Sequence, residues 1–157
     1  MEEKIIIIIR EIIQPIFISI LVTIITVKLS LKKFRSEKWW EKKAEAYSKI
    51  IDALHQLKNY CDQKLPASYG EFNLSPEKEN ELAEQYKIAY REFVKALDVG
   101  SFIISKEAVK ILETYRNRPQ LDFNDNPLCE IIECDLKYIK ECLQDFKIVA
   151  KKDLDIK

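Results

Sequence analysis

An apolar stretch over residues 5–27 dominates the beginning of the sequence and limits the environment in which the chain folds. Of its 23 residues, 16 are Ile, Leu, Val or Phe. The others are Arg10, Glu11, Gln14, Pro15, Ser19, Thr23 and Thr26. A helix of this length measures about 34 Å, which is enough to cross a bilayer. The stretch predicts a transmembrane helix, and a core helix of a soluble protein is the alternative.

The register of this helix depends on where its charges lie. The range 12–31 places Arg10 and Glu11 at one interface and lets Lys28 extend its ammonium to the headgroups. A charge at the centre of the bilayer costs more than a lysine near the end of a span. We therefore prefer this register to 5–27.

The segment lacks the features of a cleaved signal peptide. Cleavage requires small residues, yet the first alanine is Ala44 and the first glycine is Gly70. We expect residues 1–31 to remain attached as a transmembrane anchor and residues 32–157 to form a helical domain.

Positive charge is concentrated directly after the apolar stretch. Residues 28–43 contain only two acids, Glu37 and Glu41. Their seven cations are Lys28, Lys32, Lys33, Arg35, Lys38, Lys42 and Lys43. Because cytoplasmic flanks are rich in Lys and Arg, we expect a single-pass protein of the inner (cytoplasmic) membrane. Its N-terminus lies outside, and its C-terminal domain is cytoplasmic.

Two tryptophans occur within this basic segment. Trp39 and Trp40 stand among lysines, as in interfacial belts where indoles lie at headgroup depth and cations contact lipid phosphates. The predicted membrane-interface residues are Lys32, Lys33, Arg35, Trp39 and Trp40. Alternatively, one tryptophan lies in the core and the other stacks on a ligand or a neighbouring subunit.

The weakly polar residues of the apolar stretch share one face. Ser19, Thr23, Thr26 and Ser30 are spaced by four, three and four residues, which a helix brings into one stripe. Such residues pack closely and hydrogen bond between membrane helices, so the stripe predicts a homo-oligomer in which it lines a polar path. The alternative is that these hydroxyls bond only to their own backbone.

The rest of the sequence has the apolar periodicity of helices. Four amphipathic segments cover residues 36–63, 75–100, 105–118 and 126–149. Their expected N-caps are Ser36, Ser75, Ser105 and Asn126. Residues 64–73 lack periodicity and predict a loop, and residues 151–157 are expected to fray. We predict an all-α fold, with one transmembrane helix followed by a cytosolic bundle of about four helices.

The sequence lacks the motifs of common enzymes. Two glycines in the whole chain exclude Gly-rich phosphate loops. The four cysteines form no CxxC pair, and Cys134 and Cys142 fit small packing residues on one helix. His55 is the sole histidine and is expected to be partly exposed. We therefore predict no enzyme activity, no catalytic residues, no metal and no cofactor.

One polar cluster suggests a ligand site. Tyr115, Arg116, Asn117 and Arg118 end the third predicted helix. Arginines bind phosphates bidentately, and Tyr or Asn stacks on or hydrogen bonds to a base. The candidate ligand-binding residues are Arg91, Lys106, Lys110, Tyr115, Arg116, Asn117 and Arg118. The alternative is that these cations only complement the dipole at the end of the helix.

Residues 34–55, FRSEKWWEKKAEAYSKIIDALH, resemble a motif of small bacterial proteins that place one membrane helix before a helical cytosolic domain. The overall plan is similar to membrane effectors of prokaryotic antiviral defence. These include the cyclic-oligoadenylate-binding effector of type III CRISPR loci and the membrane effectors of retrons. The resemblance implies a sensor domain that binds a second messenger and an oligomer that perturbs the inner membrane. It transfers no functional residues.

Together these features predict a membrane effector of antiviral defence whose helical domain binds a cyclic nucleotide. The expected partners are the lipid bilayer, further copies of the chain and a cyclic oligonucleotide, but no duplex nucleic acid. The alternative is a membrane-tethered protein-interaction or accessory subunit without pore activity.

Overall fold

The structure is a computed structural model that describes residues 14–156. These residues form four helices and no strand. The helices are α1 (Gln14–Ser68), α2 (Pro76–Gly100), α3 (Lys106–Arg116) and α4 (Leu128–Asp153). The predicted all-α fold, with one long apolar N-terminal helix followed by further helices, is confirmed.

The chain divides into two compact units between Glu41 and Lys42. The sequence analysis placed its domain boundary between residues 31 and 32, at the expected end of the membrane segment. That boundary stays a prediction, because compactness does not locate the surface of a bilayer.

The described part of the first unit, residues 14–41, belongs to α1. Within residues 14–156, one helix contains a stretch long and apolar enough to cross a membrane, and the rest of the protein buries none of that stretch. Its large apolar side chains are about half exposed or more, from 49% for Leu21 to 67% for Phe17. The residues before Gln14, including Arg10 and Glu11, lie outside the described residues.

The second unit is an up-and-down bundle. An ion pair joins Lys64 to Glu79 near one end of α1, and Gly100 contacts Ile50 towards the other, so α2 runs antiparallel to α1. A Cβ added to Gly100 would lie 3.4 Å from Cδ1 of Ile50, so the two helices pack closely at this point.

The last two helices complete the bundle. The hydroxyl of Tyr47 accepts from the backbone N–H of Ser105, which places the start of α3 near the Lys42 end of α1. The α4 helix runs back along α1: Tyr69 donates to Glu133 at 3.0 Å near one end, and Lys43 pairs with Asp153 at the other.

Apolar side chains from all four helices form the core of this unit. The largest that are almost completely buried are Tyr47, Phe93, Phe146, Ile50, Leu54, Leu57, Leu82, Leu112 and Ile139. The fuller set of buried residues recurs mainly every three or four residues, as do Ala108, Leu112 and Tyr115 on α3, and the sequence periodicity predicts this spacing. Cys61 and Cys142 are also buried in the core.

Two of the predicted helix starts are confirmed. The side chains of Ser75 and Ser105 accept hydrogen bonds from Lys78 N and Ala108 N, both at 3.3 Å. These bonds satisfy N–H groups that have no partner within the helix. Pro76 occupies the first turn of α2, where its missing N–H costs nothing.

Four boundary predictions were wrong. Ser36 does not cap a helix, because α1 is continuous through it. The α1 helix also extends through Pro66 into the predicted loop. Pro66 is so near the end that its ring affects only the last turn.

The other two corrections concern α4. Pro127, not Asn126, is its N-cap, since the Asn126 amide donates to Asp122 O instead. The helix also extends into the tail that was expected to fray, because Lys43 and Tyr47 bind Asp153.

Candidate functional site

The predicted ligand cluster lies where α3 ends. Asn117 is the C-cap and leaves the helical conformation, with φ −94° and ψ 14°. Its N–H still donates to Glu113 O at 2.9 Å, and Arg118 N donates to Tyr115 O at 3.3 Å. Pro119 follows directly and lacks an N–H with which to continue the helix. This tight ending turns Arg118 back toward the bundle.

Arg118 is buried and fully engaged within the domain. Its guanidinium contacts Oδ1 of Asp135 on α4, from Nε at 3.0 Å and from Nη2 at 2.9 Å. A third nitrogen, Nη1, donates to Tyr115 O at 3.1 Å. The Arg118 side chain is 2% exposed. Through these contacts Arg118 joins the end of α3 to α4. Little of its positive charge is therefore available to a ligand.

The charge of Arg118 is maintained inside the domain. Burial lowers its pKa, but the neighbouring Tyr115 and the Asp135 carboxylate outweigh burial, so the pKa lies above the ordinary arginine value. The guanidinium also lies over the Tyr115 ring, 4.3 Å from the ring centroid to Cζ. A permanently charged, buried cation of this kind needs its counter-ion.

Tyr115 is a core residue and not a stacking platform at the surface. Its ring is 3% exposed and packs edge-on against Phe93, with centroids 5.3 Å apart and an interplanar angle of 84°. Among the described residues, its hydroxyl is the one buried side-chain polar atom without a hydrogen-bond partner. Burial raises the pKa of this phenol, so it stays neutral.

The other candidate cations are dispersed. Arg116 is 34% exposed and lies near acids, 3.6 Å from Asp98 and 3.9 Å from Glu113. Arg91 is 72% exposed on α2 and lies 3.8 Å from Glu84. Lys106 is exposed in the first turn of α3.

Lys110, Asn117 and Arg118 are brought together in one open recess. It has a volume of about 460 Å³ and is also lined by Glu113, Thr114, Pro119 and Tyr138. Since Arg118 is paired with Asp135 and Glu113 is an acid, Lys110 supplies the accessible positive charge of this recess. We call it the Lys110 recess.

No family model, curated protein or solved structure matches this chain. The functions of its residues therefore rest on their own contacts. The prediction that the seven candidates bind a ligand stays a prediction, with three of them gathered in the Lys110 recess.

A second recess lies between α2, the connection 117–127 and α4. Its volume is about 320 Å³. Its main lining residues are Tyr86, Tyr90, Leu121, Phe123, Ile131 and Asp135. We call it the tyrosine recess. It is the more aromatic of the two, and the sequence analysis did not anticipate it.

The predicted membrane-interface residues lie in the first unit. Lys32, Lys33 and Arg35 are exposed, and Trp39 and Trp40 are 53% and 48% exposed. Neither tryptophan is buried in the core, contrary to the alternative considered for them.

The predicted polar stripe carries local hydrogen bonds. Thr23 Oγ1 donates to Ser19 O, and Thr26 Oγ1 donates to Val22 O, each at 2.8 Å. The alternative interpretation predicts such bonds to the helix's own backbone, and two of the four residues form them. Such a bond leaves each oxygen able to accept another from a neighbouring helix. The oligomer therefore stays a prediction.

A polar cluster fastens α4 to the Lys42 end of α1. Lys43 Nζ lies 2.7 Å from Asp153 Oδ1, and the Tyr47 hydroxyl donates to Oδ2 at 2.6 Å. Burial raises the pKa of Asp153, but the hydrogen bonds from Lys43 and Tyr47 outweigh it and hold the pKa below the ordinary value. Burial and the bond to Asp153 raise the pKa of Tyr47 to about 12.

We expect Asp153 to make the domain sensitive to acid. A carboxyl whose pKa is lower in the folded state contributes stability above its unfolded pKa, and this stability is lost as pH falls through the folded pKa. Changing Asp153 to Asn should cost about 1 to 2 kcal/mol at pH 7. It should also reduce the loss of melting temperature between pH 7 and about pH 2.5, a range that extends below the ordinary aspartate pKa. Asp145→Asn, an exposed change on α4, is the control. An equal acid-induced loss in Asp153→Asn and the wild type would contradict this role.

The four cysteines divide into two classes. Burial raises the pKa of Cys61 and of Cys142 to about 12. Cys129 and Cys134 are partly exposed. Thus Cys142 packs as predicted, whereas Cys134 lines the tyrosine recess. Among the described residues, no cluster of three or more His, Cys, Asp or Glu is placed to hold a metal.

Thiol labelling should separate these classes. A pKa near 12 reduces the thiolate fraction about a thousandfold relative to an ordinary cysteine. We expect two thiols of the folded protein to react quickly with a disulfide reagent and two to react only on unfolding. Replacing both Cys129 and Cys134 by Ser should abolish the fast phase. Fast reaction of all four in the folded wild type would contradict the burial of Cys61 and Cys142.

Sequence reasoning missed the residues that partner the predicted ones. Asp153 falls in the tail that was expected to fray, and Asp135 and Glu133 were not among the candidates. Nothing in the spacing of these three acids points to Arg118, Lys43 or Tyr69. The one available signal was Pro119, which forces the chain to turn immediately after Arg118. His55, expected to be partly exposed, is exposed and lies 3.1 Å from Lys147 Nζ.

Proposed function

We propose that this protein is a single-pass membrane protein whose helical domain acts by binding a partner. The observation that carries the proposal is the exposed apolar surface of α1 between residues 16 and 31, where side chains project on every face without a protein covering. A soluble monomer rarely exposes so much contiguous apolar surface. The second unit, in contrast, has its own core and needs no lipid to bury it.

We propose that the N-terminus is outside and the domain is cytoplasmic, on the evidence of the basic residues after the apolar segment. The partly exposed Cys129 and Cys134 provide the test. A membrane-impermeant maleimide should label them only after cells are permeabilised, and the Cys129→Ser, Cys134→Ser protein should remain unlabelled. Labelling of these residues in intact cells would show the opposite orientation, with the domain outside.

In one form of the proposal, the domain binds a partner protein as an interaction or accessory subunit. Exposed aromatic side chains on the connections between helices favour this form. Phe102 is 86% exposed between α2 and α3, and Phe123 is 73% exposed between α3 and α4. A stoichiometric partner that is lost on Phe102→Ser but retained on Ile88→Ser would support this form. Leakage of the membrane on expression of the wild type, without such a partner, would contradict it.

The effector form proposes that a cyclic nucleotide binds the domain and that oligomeric α1 helices perturb the membrane. Its support is the Lys110 recess, the polar stripe and the resemblance in overall plan. The ion pairs of Arg116 and Arg118 weaken it, because they occupy the two cations best suited to phosphates.

Calorimetry of the full-length protein in detergent with cyclic di- to hexanucleotides tests the effector form. Selective binding that Lys110→Glu abolishes would support it, with Lys87→Glu, an exposed lysine on α2 outside the candidate set, as the control. Disulfide crosslinking of cysteines at positions 19, 23 and 26 would then report the oligomer. No binding across the panel, or no crosslinked oligomer in membranes, would leave the interaction form as the function.

A further inference from the structure

The tyrosine recess has the dimensions of a small-ligand site. Its volume of about 320 Å³ falls at the lower end of the range for such pockets, about 300 to 1,000 Å³. Three separate segments form its walls: α2 with Tyr86 and Tyr90, the connection with Leu121 and Phe123, and α4 with Ile131. A cavity built from three segments of the chain is a more definite site than a groove along one helix.

Aromatic rings supply much of its surface. The rings of Tyr86 and Tyr90 are nearly parallel, with an interplanar angle of 13° and centroids 6.4 Å apart. Tyr60 packs against Tyr86 at 4.6 Å and supports it from α1. Burial raises the pKa of Tyr86 to about 12, so its phenol stays neutral. Neutral aromatic faces carry a negative potential that attracts cations.

The net charge beside the recess is close to zero, because Asp135 is paired with Arg118, whose guanidinium also interacts with Tyr86. No Lys or Arg lines it, and Asp135 forms part of its wall. Both carboxylate contacts of Arg118 go to Oδ1 of Asp135, and Oδ2 keeps lone pairs for a second donor.

The domain already uses the same chemistry internally. Arg118 lies over the Tyr115 ring and pairs with Asp135, so one cation is held by an aromatic face and this carboxylate. The tyrosine recess presents further aromatic faces, those of Tyr86, Tyr90 and Phe123, with Asp135 in its wall.

We infer that the tyrosine recess binds an alkylammonium cation, held by the aromatic faces of Tyr90 and Phe123, with Asp135 in the wall. This inference deepens the proposed function, because it names the chemistry that the binding domain recognises. The cation belongs either to a small quaternary amine or to a trimethylated lysine side chain of a partner protein.

Choline and its uncharged isostere 3,3-dimethyl-1-butanol provide the test. Each is titrated into the full-length protein in detergent at constant ionic strength and followed by calorimetry. We expect saturable choline binding, with a dissociation constant on the order of millimolar, and binding of the isostere that is at least about fivefold weaker. Equal binding of both compounds, or no saturation by choline, would overturn the inference.

Matched variants locate the site. Tyr90→Leu and Phe123→Leu remove a π face but keep apolar volume, and each should weaken choline binding about fivefold. Tyr90→Phe keeps the face and should bind like the wild type. Tyr138→Leu lies outside the recess and is the control. Phe123 is on an exposed connection, so its variant preserves the fold, and unchanged affinity in Phe123→Leu and Tyr90→Leu would overturn the assignment.

A third titration distinguishes the two sources of the cation. Tighter binding of the amide of Nα-acetyl-trimethyl-lysine than of choline supports a side chain of a partner protein, and the reverse order supports a small amine. Membrane insertion is measured separately by carbonate extraction. If the protein binds choline but is extracted by carbonate, the proposed anchoring is wrong and the site stands. If the protein is inserted but fails to bind choline, only the proposed site is wrong.

Discussion

Replacing Arg118 by methionine is expected to lower the free energy of unfolding by about 3 kcal/mol, because Asp135 then loses its counter-ion in a largely buried position. The 26% exposure of the Asp135 side chain keeps the effect near the lower end of the range for broken buried pairs. Unfolding is followed in detergent by the reaction of the buried Cys61 and Cys142 with a thiol-reactive dye. A loss of this size should reduce the melting temperature by about 10 °C.

Two further variants separate the ion pair from general effects of substitution. Arg116→Met should change stability by no more than about 1 kcal/mol, since its ion pairs are longer and partly exposed. Combining Arg118→Met with Asp135→Leu should recover much of the loss, because no unpaired charge remains buried. If Arg118→Met behaves like Arg116→Met, the pair does not join α3 to α4.

Introducing lysine at both Ile20 and Ile24 is expected to abolish membrane insertion. The 11 large apolar residues between positions 16 and 31 favour insertion by about 0.5 kcal/mol each. Two lysines near the middle of the span oppose it by about 6 kcal/mol in total, which exceeds that gain. The variant should move from the carbonate-resistant pellet to the soluble or aggregated fraction.

The control for this experiment adds the same charge beyond the predicted span. Ser36→Lys with Ser48→Lys places two lysines at exposed positions after the span, and insertion should be retained. A pair Ile20→Lys, Ile24→Lys that still resists carbonate extraction would show that residues 16–31 are not the anchor.

Local signals account for what the sequence predicted of the fold. Ser75 and Ser105 cap their helices because a hydroxyl three residues before an unpaired N–H is sufficient, whatever the rest of the chain does. The apolar periodicity of α2, α3 and α4 likewise identifies their buried faces. Helix ends were less predictable where a distant contact decides them, as Lys43 does for the end of α4.

The candidate site was less predictable for the same reason. The sequence marks Arg118 as a cation beside an aromatic residue and an amide, which fits a phosphate site. The sequence does not show that Arg118 contacts Asp135, which is 17 residues away. That ion pair determines whether the guanidinium faces solvent. The tyrosine recess is also non-local, since its walls come from three parts of the chain that only folding brings together.

Lys43 and Asp153 are 110 residues apart in sequence, yet they are joined by an ion pair. The beginning and end of the bundle therefore meet, and packing does not dictate the order in which its helices are connected. A circularly permuted chain, linked across this pair and opened at Gly70, where φ is +79°, would keep the same helix neighbours. An anchor fused to the new beginning would tether the domain by its opposite end. In this sense the architecture of the bundle is independent of the point at which the apolar segment of α1 is attached to it.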